Sequence, residues 1–157
     1  MVIPQPPMID RHGEPVDILL VEDNPGDVRL TREAFKQGQI NNTVHVTTDG
    51  VEAIDFLCQR NEHADAPRPD IILLDINLPK MNGDEVLETI RGDSKLKNLP
   101  VIVLTSSSAE EDIIKSYELQ ANAYLTKPVD PVEFIETIRS FQQFWLSVVV
   151  LPPYDEQ

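Results

Sequence analysis

Three short, unbroken apolar runs constrain this chain more than any other feature. They are Asp17-Ile-Leu-Leu-Val21, Ile71-Ile-Leu-Leu-Asp75 and Val101-Ile-Val-Leu-Thr105. A strand built from such a run is apolar on both faces, and a parallel sheet covered by helices on both sides buries it. The segments between the runs supply those helices. Asn24-Pro25 offers an N-cap followed by proline at the first helical position, and a helix is expected to run to about Gln37, before Gly38. Val44 to Thr48 reads as a second strand, followed by a helix from about Gly50 to Gln59. A polar loop spans 61–69. Turn chemistry at Pro79 to Gly83 then leads into a helix ending near Arg91. A helix over about 109–119, a short strand Ala123 to Leu125 and a last helix from Pro131 to Leu146 complete the series.

Five strands alternating with five helices predict an α/β fold with a doubly wound parallel sheet. Right-handed crossovers leave few arrangements, and the order 2-1-3-4-5 is the usual one at this length. The domain expected is 17–146, preceded by a proline-bearing leader over 1–16 and followed by an extension over 147–157. With 157 residues the chain is one domain's worth.

Composition narrows the function. Acids outnumber bases by 27 to 13, a formal charge of −14, whereas nucleic acid and anionic membranes call for a basic face. Neither is expected as a partner. The single cysteine, Cys58, cannot form an internal disulfide, and its place beside Phe56 and Leu57 suggests a small core residue. No apolar run approaches membrane-spanning length and no signal pattern opens the chain, so a cytoplasmic protein is expected.

In an open parallel sheet, ligands bind beyond the carboxyl ends of the strands, where strand order reverses. Four strand ends carry polar residues: Glu22 and Asp23 after the first, Asp75 closing the third, Thr105 closing the fourth and Lys127 after the fifth. Each alone is ordinary, since an Asp there is commonly a cap and a lone Lys is commonly solvated. Together on one edge they describe a site. Three neighbouring carboxylates repel unless a cation neutralises them, and a hard ion with oxygen ligands such as Mg2+ does so. Zinc is disfavoured because His12, His45 and His63 are scattered, with His45 read as a packed or edge residue. Phosphoryl transfer is mostly positioning and charge neutralisation, which assigns the roles. Asp75 is the nucleophile that forms an acyl phosphate. Metal ligation falls to Asp23, Asp75, Glu22 through water and the backbone carbonyl of Asn77. Lys127 offers a charge to the phosphoryl group, and Thr105 offers a hydroxyl. Asn77 and Ser107 border the path of the hydrolytic water.

The segments Glu22-Asp23-Asn24, Ile-Leu-Leu-Asp75, Val-Leu-Thr105 and Leu-Thr-Lys127-Pro128 resemble, in order and spacing, the four signatures of CheY-like response-regulator receiver domains. The resemblance covers about 16–146 and implies a flavodoxin-like (βα)5 fold. It also implies that Asp75 is the phosphoacceptor, Thr105 the switch hydroxyl, Tyr124 the switch aromatic and Lys127 the conserved base. A cis bond at Lys127-Pro128 is implied as well. Ser106 departs from the pattern, since many receivers carry a small apolar residue there. Asp75-Ile-Asn-Leu-Pro-Lys-Met-Asn-Gly83, Ser116-Tyr-Glu-Leu-Gln-Ala-Asn122 and Phe144-Trp-Leu-Ser-Val-Val-Val-Leu-Pro152 resemble the small single-domain regulators that partner bacterial phytochromes and related hybrid histidine kinases. Such a protein accepts its phosphoryl group from a histidine kinase and, lacking a DNA-binding output domain, signals through protein contacts.

Other classes fit less well. A phosphatase of the haloacid dehalogenase type would place its nucleophile in the first motif with a second Asp two residues on, where this chain has Asn77. A nucleotide-binding fold would need a glycine-rich loop where Glu22 to Asp27 stands. A pseudo-receiver would lack the acceptor or the acidic pair. Finally, Phe134, Ile138, Phe141 and Trp145 form the apolar stripe that the last helix needs against the sheet. Ile135, Phe144, Leu146 and Val148 to Leu151 add apolar surface beyond it, so a homodimer through that helix and the tail is expected.

Overall fold

The computed structural model describes residues 15–38, 41–106, 113, 115 and 117–147, the side chains of 144–147 excepted. The expected leader (but for its last two residues), His12, Ser107, Trp145, Phe144, Leu146 and the tail after 147 therefore lie outside the described residues or side chains.

Five parallel strands form one sheet in the order β2-β1-β3-β4-β5, as the apolar runs require. They are β1 (Val16–Val21), β2 (Asn42–Thr47), β3 (Ile71–Leu74), β4 (Val101–Thr105) and β5 (Ala123–Thr126). Four helices are bounded in full: α1 (Pro25–Gln37), α2 (Gly50–Cys58), α3 (Gly83–Gly92) and α4 (Pro131–Ser147). Between β4 and β5, residues 113, 115, 117 and 118 are helical, where the helix over 109–119 was expected. Among the described residues no helix is long and apolar enough to cross a membrane.

Each central strand divides its side chains between two cores, as a period of two dictates. Leu19, Val21, Ile72, Leu74, Val101 and Val103 face α2 and α3, meeting Ile54, Leu57, Val86, Leu87 and Ile90. Ile18, Leu20, Ile71, Leu73, Ile102 and Leu104 face the other way, against Phe35 of α1 and Phe134, Ile138 and Phe141 of α4. The stripe predicted for the last helix is thus buried at its three described positions, and Phe35 meets Phe141 edge to face at 6.4 Å.

Several boundaries and one core assignment differ from expectation. β1 begins at Val16 and β2 at Asn42: Val16 pairs with Asn42 and Asp17 with Thr43, so the polar start of β2, which an apolar pattern does not register, lengthens the pairing by residues at both strands. A single 3-10 turn, Asn61–His63, interrupts the loop over 61–69. Cys58 is exposed, not buried. It is the last residue of α2, and Gln59 turns the chain away in a left-handed conformation (φ 55°). His45 is the edge-strand residue expected, with Nε2 2.8 Å from Asp17 Oδ1 and its ring 5.5 Å from that of Phe56.

At the rim where strands begin, one side chain ties α3 to the starts of β4 and β5. Arg91, at the end of α3, donates to the carbonyls of Gln120 (2.9 Å), Lys97 (3.0 Å) and Leu99 (2.7 Å) and to Asn122 Oδ1 (2.8 Å). Asn122 Oδ1 also accepts from the Val101 N–H, so α3 is clasped to the starts of β4 and β5.

Candidate functional site

Strand register assembles the site at the opposite rim. Val21 ends β1 beside Leu74 of β3, so Glu22 and Asp75 emerge as neighbours. Thr105 ends β4 beside Thr126 of β5, so Lys127 emerges next to them. Backbone bonds hold these exits: Glu22 N–H to the Thr47 carbonyl (3.0 Å), Asp75 N–H to Val21 (3.1 Å) and Lys127 N–H to Thr105 (2.7 Å). The loop after Asp75 is packed backbone to backbone. A Cβ on Gly83 would strike the Asp75 carbonyl, and one on Gly50 would strike the Met81 carbonyl, so glycine is required at both close approaches. Asn82 caps α3 with a reciprocal capping box to Glu85.

Glu22, Asp23 and Asp75 each place a carboxylate oxygen within 4.8 Å of the others. Glu22 and Asp75 are buried and Asp23 is exposed, so the cluster opens to solvent on one side. Lys127 is buried among them, its ammonium bonded to Glu22, to Asp27 Oδ2 at 2.9 Å and to Asp75 Oδ2 at 3.2 Å. Burial pushes the Glu22 carboxyl up to about 7; Lys127 pulls against that rise and the Asp75 charge adds to it. Burial alone would lower the Lys127 ammonium, but bonds to Glu22 and Asp27 and the charges of Asp75 and Glu22 outweigh it and raise its pKa.

Four expected site residues, Glu22, Asp23, Asp75 and Lys127, therefore converge. Thr105 lies fully buried at the end of β4, and Tyr124, in register with Val103, is half-buried against the α2–α3 core. Asn77 is exposed, and its N–H donates to Asp75 Oδ1 at 3.3 Å. Pro128 is half-buried beside Lys127. Among the described residues no cis peptide occurs, so the Lys127–Pro128 bond is trans, contrary to expectation; trans is the lower-energy isomer for X–Pro, and Lys127 reaches the carboxylates from it. One contributor was missed. Asp27, in the first turn of α1, is a third carboxylate on Lys127, but an acid at that position reads as ordinary helix-terminal charge.

Residues 18–139 match the model of the response regulator receiver domain. The chain belongs to this family. It is 44% identical over 145 residues to the response regulator Rcp1 of Synechocystis sp., covering 92% of this chain and 99% of Rcp1. The structure of Mn(2+)-bound Rcp1 superimposes with a TM-score of 0.85 at 45% identity, over 88% of this chain and all of that one. The phosphorylated cyanobacterial phytochrome response regulator RcpA gives 0.86 at 44% identity, over 89% and 100%. The bacteriophytochrome response regulator AtBRR gives 0.69 at 40% identity, over 92% and 99%. The protein is thus a receiver-domain response regulator of the two-component type, related to phytochrome regulators, and histidine kinases are its partner class.

Proposed function

We propose that this receiver takes a phosphoryl group from a phytochrome-type or related hybrid histidine kinase onto Asp75, with Mg2+, in the cytoplasm. The observation that carries the reading is the convergence of three carboxylates and one ammonium at a single rim of the sheet. An Asp75 oxygen forms the bond to phosphorus as the donor's P–N bond breaks, and the electron pair leaves with the imidazole, which keeps or gains its proton. The donor set is hard oxygen and suits Mg2+. Glu22, Asp23, Asp75 and the Asn77 carbonyl would hold the ion, which when bound supplies charge neutralisation for the incoming phosphoryl oxygens. Lys127 pairs with the phosphoryl group once Asp75 carries it as an acyl phosphate. The Thr105 hydroxyl turns toward it and Tyr124 follows, altering the surface formed by the helical residues 113, 115, 117 and 118, β5 and α4. Asn77 and Ser107 flank the approach of the hydrolytic water.

The test is labelling by acetyl phosphate or a phosphohistidine kinase. Stable, Mg2+-dependent label that is lost in Asp75→Asn supports the reading, while label retained in Asp75→Asn defeats it. Association is part of the proposal: α4 and the tail form a symmetric homodimer, since Phe144, Leu146 and Val148 to Leu151 exceed what the sheet-facing stripe requires, whereas Ile135 is partly buried against the α1–α4 core. Removing residues 144–157 should give a monomer by light scattering with Asp75 labelling intact. A full-length chain that stays monomeric at high micromolar concentration, phosphorylated or not, overturns the dimer.

A further inference from the structure

Lys127 has three ammonium protons, and three carboxylates take them. Two belong to the acidic cluster with which a divalent ion and phosphate would engage. The third, Asp27, is not one of the clustered oxygens. It is fixed on α1: its N–H bonds to Asn24 Oδ1 at 3.1 Å, and its carbonyl accepts the Thr31 hydroxyl at 2.8 Å. Its carboxylate sits in the first turn of α1, at the positive end of the helix. The ammonium lies 2.9 Å from Asp27 and 3.2 Å from Asp75, so it is shared with an acid outside the cluster.

We propose that Asp27 is a positioning residue that draws the Lys127 ammonium toward α1 and thereby slows the loading of an anionic phosphodonor at Asp75. The inference rests on Asp75 as phosphoacceptor. Two effects act in the same direction. Asp27 takes part of the charge that Lys127 would present to the donor, and its own negative charge repels a phosphodonor dianion at short range. The side chain of Asp27 is about a quarter exposed (27%), so solvent screens part of this repulsion. The combined effect on the labelling rate is roughly three- to tenfold.

The experiment compares initial labelling by acetyl phosphate at saturating Mg2+ in wild type, Asp27→Asn and Asp27→Glu. Asp27→Asn should label roughly three to ten times faster, the gain should shrink as salt rises, and Asp27→Glu should stay near wild type. In metal-free protein, with no phosphodonor, the Lys127 ammonium resonance should shift in Asp27→Asn and return in Asp27→Glu. Thermal melts identify any variant whose fold has failed, and Asp27→Ser then serves as the neutral replacement. A neutral variant that labels at or below the wild-type rate, with an unmoved Lys127 resonance, overturns the inference. Asp75→Asn separates this from the underlying reading: if it still labels, Asp75 is not the acceptor, whatever Asp27 does.

Discussion

The Lys127 ammonium lies 3.2 Å from Asp75 Oδ2 and also bonds to Glu22, so a single buried cation offsets two buried carboxylates. Among the described residues no other cation pairs with either acid. Lys127→Met should therefore destabilise metal-free protein by roughly 3 kcal/mol, at the low end for a broken buried pair because Glu22 can take up a proton. Added Mg2+ should return part of the loss, read as a rise in Tm larger than the rise in wild type. Equal metal-induced shifts in both proteins would contradict this account.

Gly50→Ala is expected to damage the site from outside it. The new Cβ meets the Met81 backbone, which is not a flexible side chain that can step aside. The cost should be about 1–3 kcal/mol by denaturant unfolding, accompanied by slower labelling. A variant as stable and as fast as wild type would mean that the Met81 segment yields freely.

Thr105→Ala should separate loading from response. Thr105 is buried, and in the proposed mechanism its hydroxyl turns to the new phosphoryl oxygens, whereas the proposed bond formation draws on Asp75, the metal ligands and Lys127. The variant should accept label yet fail to reproduce the wild-type NMR shifts around Tyr124 on phosphorylation. Identical shifts in both proteins would refute the coupling.

Ile138→Ala tests the core on the α4 side, where Ile138 is fully buried beside Phe35, Phe134 and Phe141. A loss of roughly 2–5 kcal/mol is expected, with Asp75 labelling retained at temperatures where the fold persists. A loss below about 1 kcal/mol would imply that the α1–α4 face is loosely packed.

How much of this could be read in advance follows from the kind of signal each element leaves. β1, β3 and β4 are central strands, so their unbroken apolar runs announce them, and the polar residues ending them mark the functional rim. Glu22, Asp23, Asp75 and Lys127 could be grouped because strand order alone places those ends together. The polar start of β2 escaped the pattern because edge pairing at Asn42 and Thr43 needs no apolar side chain. Cys58 was misassigned because helix periodicity does not say where the chain turns away. Asp27 was hidden because its partner lies 100 positions on and contact across the fold leaves no local trace.

The clasp at Arg91 sets how motion can travel through this molecule. It pins the starts of β4 and β5 to the end of α3. Thr105 and Lys127 lie at the far ends of those same strands. With that foot held, a push on them should swing the strands more than it slides them lengthwise. The expected displacement is smallest beside Arg91 and grows along β4 and β5, like a pair of levers sharing one fulcrum.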